Sequence, residues 1–197
     1  MVDRVVAAGR DVLVADGYDG FSPNRIAAAA GISPGSLYQY FPDKAAILDV
    51  VVDRYWNEVS ERVVASLGDH IGAVGPEMAR ASADALLSAL EADARLLRVI
   101  FEELPPRRLK EQRAALVRRV HELATVLLAA QSESAPRSRA AVRAWVLVIA
   151  VENLAIRWVI DQPAALGREE LIDELACLAV SYLAGGEAAV SDARRNG

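Results

Sequence analysis

Two Ser-Pro pairs, Ser22-Pro23 and Ser33-Pro34, constrain the folding of this chain more tightly than any other feature. Each reads as an N-cap hydroxyl followed by a proline at the first helical position, where the missing N–H had no intrahelical partner to lose. Between them the spacing predicts a short helix over Asn24 to Ala30, whose run Ala27-Ala28-Ala29-Ala30 has no bulk to hold a second helix away. Gly31 supplies the left-handed turn that ends it. Ile32 follows as the apolar plug between the two helices. Two short helices joined by a three- to four-residue turn containing Gly form a helix-turn-helix.

The second of these helices sorts into two faces. Leu37 and Phe41, four residues apart, share the side that packs inward with Ile32. Ser33, Ser36, Gln39 and Tyr40 fall away from that core, and Pro34, Gly35 and Tyr38 line the exposed first turn. The outward set suits a DNA groove. Gly35 removes bulk where the backbone comes closest, and Gln39 carries the paired donor and acceptor that fit adenine in the major groove. Ser36 can donate to a phosphate or touch a base edge, and Tyr38 and Tyr40 offer hydroxyls to phosphates or a ring face to a thymine methyl. Asp43 reads as the N-cap of the next helix, which leaves Lys44 in its first turn. A cation there opposes the helix dipole, unless an outside phosphate draws the ammonium and the free N–H groups together. The plainer alternatives are a solvated surface lysine and, for Tyr38, a half-buried core ring.

The segment from about Val5 to Leu48 resembles the N-terminal domain of the TetR (tetracycline-repressor-like) family of transcriptional regulators. The residues that carry the likeness are Gly17-Tyr18-Asp19-Gly20-Phe21-Ser22, Ile26-Ala27, Ala30-Gly31-Ile32-Ser33, and Gly35 to Phe41 with Lys44 and Leu48. The resemblance implies a homodimeric, ligand-responsive repressor whose DNA-reading helix lies at Pro34 to Tyr40. Ser22, Asn24, Ser36, Tyr38, Tyr40 and Lys44 match DNA-contacting positions of the family, with Ser33, Pro34, Gly35 and Gln39 beside them. Three features depart from its pattern. Pro23 stands where Thr or Val is more usual, Asn24 where some members carry a basic side chain, and with an opening of Met1-Val2-Asp3 no contacts from a basic arm ahead of the first helix are expected.

Charge sharpens the expectation. The chain carries −5 overall, an acidic balance that would not by itself suggest a nucleic-acid binder. Residues 1–48 hold four basic side chains against five acidic ones. The one basic cluster is Arg107, Arg108, Lys110, Arg113, Arg118 and Arg119, set against Glu111 alone. It reads as a solvated face, with an anionic ligand or a secondary partner as the lesser alternative. The reading head therefore lacks the broad basic footprint of a non-specific coater. Affinity has to come from placed hydrogen bonds, helix N-termini and duplication in a dimer. Weak non-specific binding is expected, with a modest salt slope of about −0.9 per neutralised phosphate.

At 197 residues, 53% of them hydrophobic and with few β-branched runs at strand period, the chain reads as all-α. Its punctuation divides it into about nine helices. Three form an N-terminal helix-turn-helix DNA-binding domain (residues 1–48). The others form an effector-binding and dimerisation bundle (49–186), followed by a disordered tail (187–197). The first helix is expected to stop at Gly17, the fourth to run from Lys44 to about Leu67, and the ninth from Arg168 to Leu183, with Gly185-Gly186 as its stop. The single Cys177 excludes an internal disulfide. No leader-like segment is visible, and the apolar stretch Ala144 to Leu154 is too short to span a bilayer, so a cytoplasmic location is expected.

The last two helices have the character of an oligomer seam. Leu171, Leu175, Leu178 and Tyr182 lie on one apolar stripe of the ninth, and the eighth is apolar over most of its circumference. The expected result is a homodimer built on four helices. The alternative is a central core helix in a monomer. On the eighth helix, Trp145, Val148, Ile149, Glu152, Ile156 and Val159 are spaced to share a face, which sets a carboxylate among large apolar groups. Such a carboxylate needs an internal partner or a cationic or hydroxylated ligand. Trp56, Phe101, Asn153, Arg157 and Trp158 complete the pocket candidates, on helices that line the cavity in the family the chain resembles.

His70 and His121 have no partner at metal-ligand spacing. There is no nucleophile elbow, Gly-rich phosphate loop, paired-carboxylate motif or metal triad, so neither catalysis nor a cofactor is expected. Two rivals to a ligand-responsive repressor remain. One is a DNA-bound regulator without an effector; the other is an all-helical enzyme or scaffold.

Overall fold

The structure is a computed structural model, and it describes residues 1–69, 75–105, 118, 120–126 and 137–195. Among these residues every regular element is a helix: α1 (Val2–Gly20), α2 (Pro23–Ala29), α3 (Pro34–Tyr38), α4 (Lys44–Gly68), α5 (Pro76–Glu91), α6 (Ala94–Glu102), α7 (residues 120–126), α8 (Arg137–Asp161) and α9 (Arg168–Arg195). No described helix is long and apolar enough to cross a membrane.

The chain divides into two compact units, Met1–Glu58 with Asp93–Leu116, and Val59–Ala92 with Val117–Gly197. The division differs from a boundary at residue 48. The first half of α4 packs with the helix-turn-helix, and so does α6, which comes from much later in the chain. In this unit α1 lies against α2 and α6, and α2 against α3. Val5, Val6, Leu13, Phe21, Ile26, Leu37, Phe41, Ile47, Leu48, Leu97 and Ile100 are buried there, while Val14 and Ile32 are half-buried. In the second unit α5 packs on α8 and α9, and α8 on α9, around Met78, Leu86, Leu87, Leu90, Ile156, Val159, Leu171, Ile172 and Leu175.

The C-terminal ends of α1 and α9 differ from expectation. α1 does break at Gly17 (φ 68, ψ −176), but it resumes and reaches Gly20. α9 continues through Gly185-Gly186 to Arg195 in place of the expected stop and disordered tail. A glycine inside a helix costs only about 1 kcal/mol relative to alanine, and the residues flanking this pair are mostly good helix formers. Arg107, Arg108, Lys110, Arg113, Arg119 and His70 lie outside the described residues; Arg118 is exposed.

Candidate nucleic-acid interface

The helix-turn-helix is held by the local chemistry its sequence carries. Ser22 Oγ accepts from the Arg25 amide at 3.5 Å, and Ser33 Oγ from the Ser36 amide at 3.1 Å, with Pro23 and Pro34 opening the two helices. Gly31 takes the left-handed conformation (φ 63) between them. α3 is a single short turn, ending at Tyr38 instead of Tyr40, with Gln39 as its C-cap. Leu37 and Phe41 anchor it. On its outer side Tyr38 and Tyr40 stand 52% and 46% exposed, and Ser33, Pro34, Gly35 and Gln39 are exposed with them.

Several polar groups on this face have no intramolecular task. The side chains of Tyr38, Gln39 and Tyr40 make no hydrogen bond or ion pair among the described residues. The Ser36 and Ser33 hydroxyls lie 2.9 Å apart. A Cβ placed on Gly35 would meet only Ser33 Oγ, at 3.9 Å, so packing within the chain does not require a glycine there. Ser22 is half-buried and Asn24 exposed at the start of α2.

Lys44 opens α4, with Asp43 Oδ1 accepting from the Ala46 amide at 2.9 Å as the cap. Its ammonium lies 5.0 Å from the centroid of the Tyr18 ring and forms no ion pair among the described residues. Tyr18 itself sits just past the break in α1, and its amide donates to Glu103 Oε2 at 2.7 Å. Sequence reasoning had Tyr18 within a motif but gave it no task, and it missed Glu103. Their contact spans 85 positions, so nothing local could have signalled it.

The pocket candidates are not assembled as expected. Trp56 and Phe101 do meet in the first unit, edge to face at 6.1 Å, with Tyr55 against Trp56 at 5.0 Å. Tyr55 Oη and Trp56 Nε1 are buried with no hydrogen-bond partner among the described residues. Burial first, and then the charge of Asp93, push the Tyr55 hydroxyl well above its ordinary value. On α8, Glu152 is 5% exposed, as its apolar neighbours implied, but Trp145 on the same face is 55% exposed. Asn153 is exposed and donates to Ile149 O on its own helix. Arg157 is exposed and pairs with Asp161 at 2.9 Å, and Trp158 Nε1 donates to Leu166 O at 2.9 Å.

The expected seam changes too. Leu171 and Leu175 are buried inside the second unit, because the stripe they share faces the protomer's own core. Leu178 is 39% exposed. Tyr182 is half-buried beneath Arg143, whose guanidinium also donates to the Tyr182 and Leu183 carbonyls. The exposed apolar surface here belongs mainly to α8, at Val142, Trp145, Val146 and Leu154. No group of three potential metal ligands occurs among the described residues.

Comparison with known proteins gives this arrangement its context. Residues 5–51 match the family model described as bacterial regulatory proteins, tetR family. Residues 76–183 match the one described as tetracyclin repressor-like, C-terminal domain. The chain is 43% identical over 53 residues to the HTH-type transcriptional repressor DrrR1 of Streptomyces coeruleorubidus. That match covers 27% of this chain and only a fifth (20%) of that repressor's length. A TetR-like transcriptional regulator from Rhodococcus sp. RHA1 superposes with a TM-score of 0.65 at 25% identity, over 93% of this chain and 95% of that one. The transcriptional regulator FadR of Bacillus subtilis, solved with stearoyl-CoA, superposes at 0.67 and 18% identity, over 92% of this chain and 99% of that one. The FadR likeness is one of fold.

Proposed function

Because the chain belongs to the TetR family of transcriptional regulators, we propose that it acts as a homodimeric repressor that a small molecule releases from a near-palindromic operator. The family is one of DNA-binding regulators and not of enzymes. The observation that carries the rest is the outer face of α3. Two tyrosines, a glutamine and a glycine stand there in the open, on a turn fastened from behind by Leu37 and Phe41. Rings left half exposed on and just after so short a helix are not part of the buried core. In a major groove they contact phosphates and thymine methyls.

In this reading Ser22, Asn24, Ser33, Pro34, Gly35, Ser36, Tyr38, Gln39, Tyr40 and Lys44 meet DNA. A dimer places two copies of α3 about 34–36 Å apart, one turn of the duplex. The apolar residues left open on α8, with Leu178 of α9, supply the seam. The effector is apolar or amphipathic with a hydrogen-bond acceptor. Buried Trp56 and half-buried Phe101 bring apolar rings together, and the Tyr55 and Trp56 donors lack acceptors among the described residues. Differential binding of about 1–3 kcal/mol between two states is enough to release the operator.

The test is a gel shift on DNA upstream of the protein's own gene, repeated with a panel of apolar carbonyl compounds. A retarded band with the mass of one dimer per palindrome, abolished on adding a compound, is the expected outcome. A band that no compound moves would favour a regulator without an effector. Absence of any band on that DNA and on a random pool would refute DNA reading altogether.

A further inference from the structure

Within the first unit, α6 is fastened to α1 at both ends. At its start Asp93, which caps the Leu96 amide, accepts from Arg10 Nε at 2.8 Å and pairs with Arg10 Nη2 at 2.6 Å. Beyond its last turn Glu103 Oε2 accepts from the Tyr18 amide at 2.7 Å. The second fastening depends on the break in α1. Gly17 has a positive φ that L side chains rarely adopt, and a Cβ on it would lie 2.6 Å from the same carboxylate oxygen. Glycine therefore serves twice here: it permits the break, and it leaves room for Glu103 to reach the freed amide.

The residue whose backbone is held in this way carries the ring over which Lys44 lies. A lysine in the first turn of a helix has no favourable place against the helix dipole. The face of Tyr18 offers one, since a cation within about 6 Å of a ring centroid is attracted by its quadrupole. We infer that Glu103 is a positioning residue for DNA binding. By fixing the Tyr18 backbone it sets the ring that steadies the Lys44 ammonium, so that the position of the C-terminal end of α6 governs the phosphate contact of Lys44. This rests on the proposal that Lys44 meets a phosphate, and it adds the means by which α6 gains control of that contact.

The test is a salt series of binding isotherms on an operator fragment selected from random DNA by the native protein. Lys44→Ala is expected to weaken binding about tenfold. It is also expected to flatten the log–log salt slope by about 0.9 for each phosphate it leaves without a cation. Glu103→Ala should reproduce part of both changes, and Glu103→Gln, which keeps an acceptor for the Tyr18 amide, should restore them. Glu103→Ala combined with Lys44→Ala should bind no more weakly than Lys44→Ala alone, because the two act through one phosphate. Tyr18→Leu keeps the backbone donor but removes the ring, and should flatten the slope even if Glu103→Ala proves too unstable to assay.

Glu103→Ala and Tyr18→Leu proteins that melt normally and keep the native slope would overturn the inference, while a flattened slope in Lys44→Ala alone would leave the phosphate contact standing. A Lys44→Ala protein with native slope and affinity would remove the phosphate contact itself, and the inference with it.

Discussion

The outer face of α3 and the α5–α9 contact treat their polar groups in opposite ways. In the second unit the charges answer one another. Arg168, at the start of α9, pairs with Asp84 at 2.7 Å and Glu91 at 2.9 Å, and donates to Ser88 Oγ at 2.8 Å. Arg80 pairs with Glu169 at 2.7 Å and also with Asp173. On the reading head the side chains of Tyr38, Gln39, Tyr40 and Lys44 form no ion pair or hydrogen bond among the described residues. Both regions are exposed and both are polar, so composition does not separate them. What separates them is whether a donor already has its acceptor within the chain. Partly exposed ion pairs fasten helices at modest strength, whereas donors left over on a rigid support are available to another molecule.

The comparison breaks most visibly if the rigid support is removed. Leu37 is fully buried beneath the open face of α3. Leu37→Ala should cost about 2–5 kcal/mol, seen in denaturant unfolding, and abolish operator binding although no outward residue has changed. Retained binding would mean that the face needs no support from the core.

A buried leftover donor sharpens the distinction, because burial makes it a cost. Tyr55→Phe removes a hydroxyl without an acceptor among the described residues and should stabilise the protein by about 1 kcal/mol. It should also alter the alkaline limb of the stability profile. The folded value of the hydroxyl is raised above the ordinary 10.0. Both states keep the proton below pH 10, and above it the unfolded chain ionises first, so stability falls as pH rises through 10 toward the folded value. Tyr55→Phe should fall less steeply there. An identical alkaline limb in both proteins would show that the hydroxyl is not buried as described.

The smallest effect separates fold from function by sign. Gly35→Ala makes only an ordinary contact with Ser33 Oγ, at 3.9 Å, and should stabilise α3 by about 0.5 kcal/mol. The same methyl group should weaken operator binding roughly tenfold by holding the backbone off the groove. Equal or tighter binding would put Gly35 away from DNA.

The reading head was legible almost residue by residue, since capping and turn formation are decided within a few positions. Ser22, Pro23, Gly31, Ser33 and Pro34 each adopt the conformation their chemistry favours. The second unit was legible as helices but less so as surfaces. Periodicity placed Leu171 and Leu175 on one stripe without saying whether that stripe met its own core or another chain, and the answer is the core. Trp145 and Glu152 share a face that is covered at one height and open at the other. The grouping of α6 with the head, and the bond from Glu103 to Tyr18, depend on tertiary packing between distant segments that no local pattern encodes.

The central claim, that the outer face of α3 and the first turn of α4 together grip DNA, is tested most directly by fluorescence anisotropy of a labelled operator with Tyr38→Phe plus Lys44→Ala. Removing two hydrogen bonds to DNA, one of them charge-assisted, predicts a fall in affinity on the order of a hundredfold, with helical content and oligomeric state unchanged. Native affinity in that double variant would contradict the account.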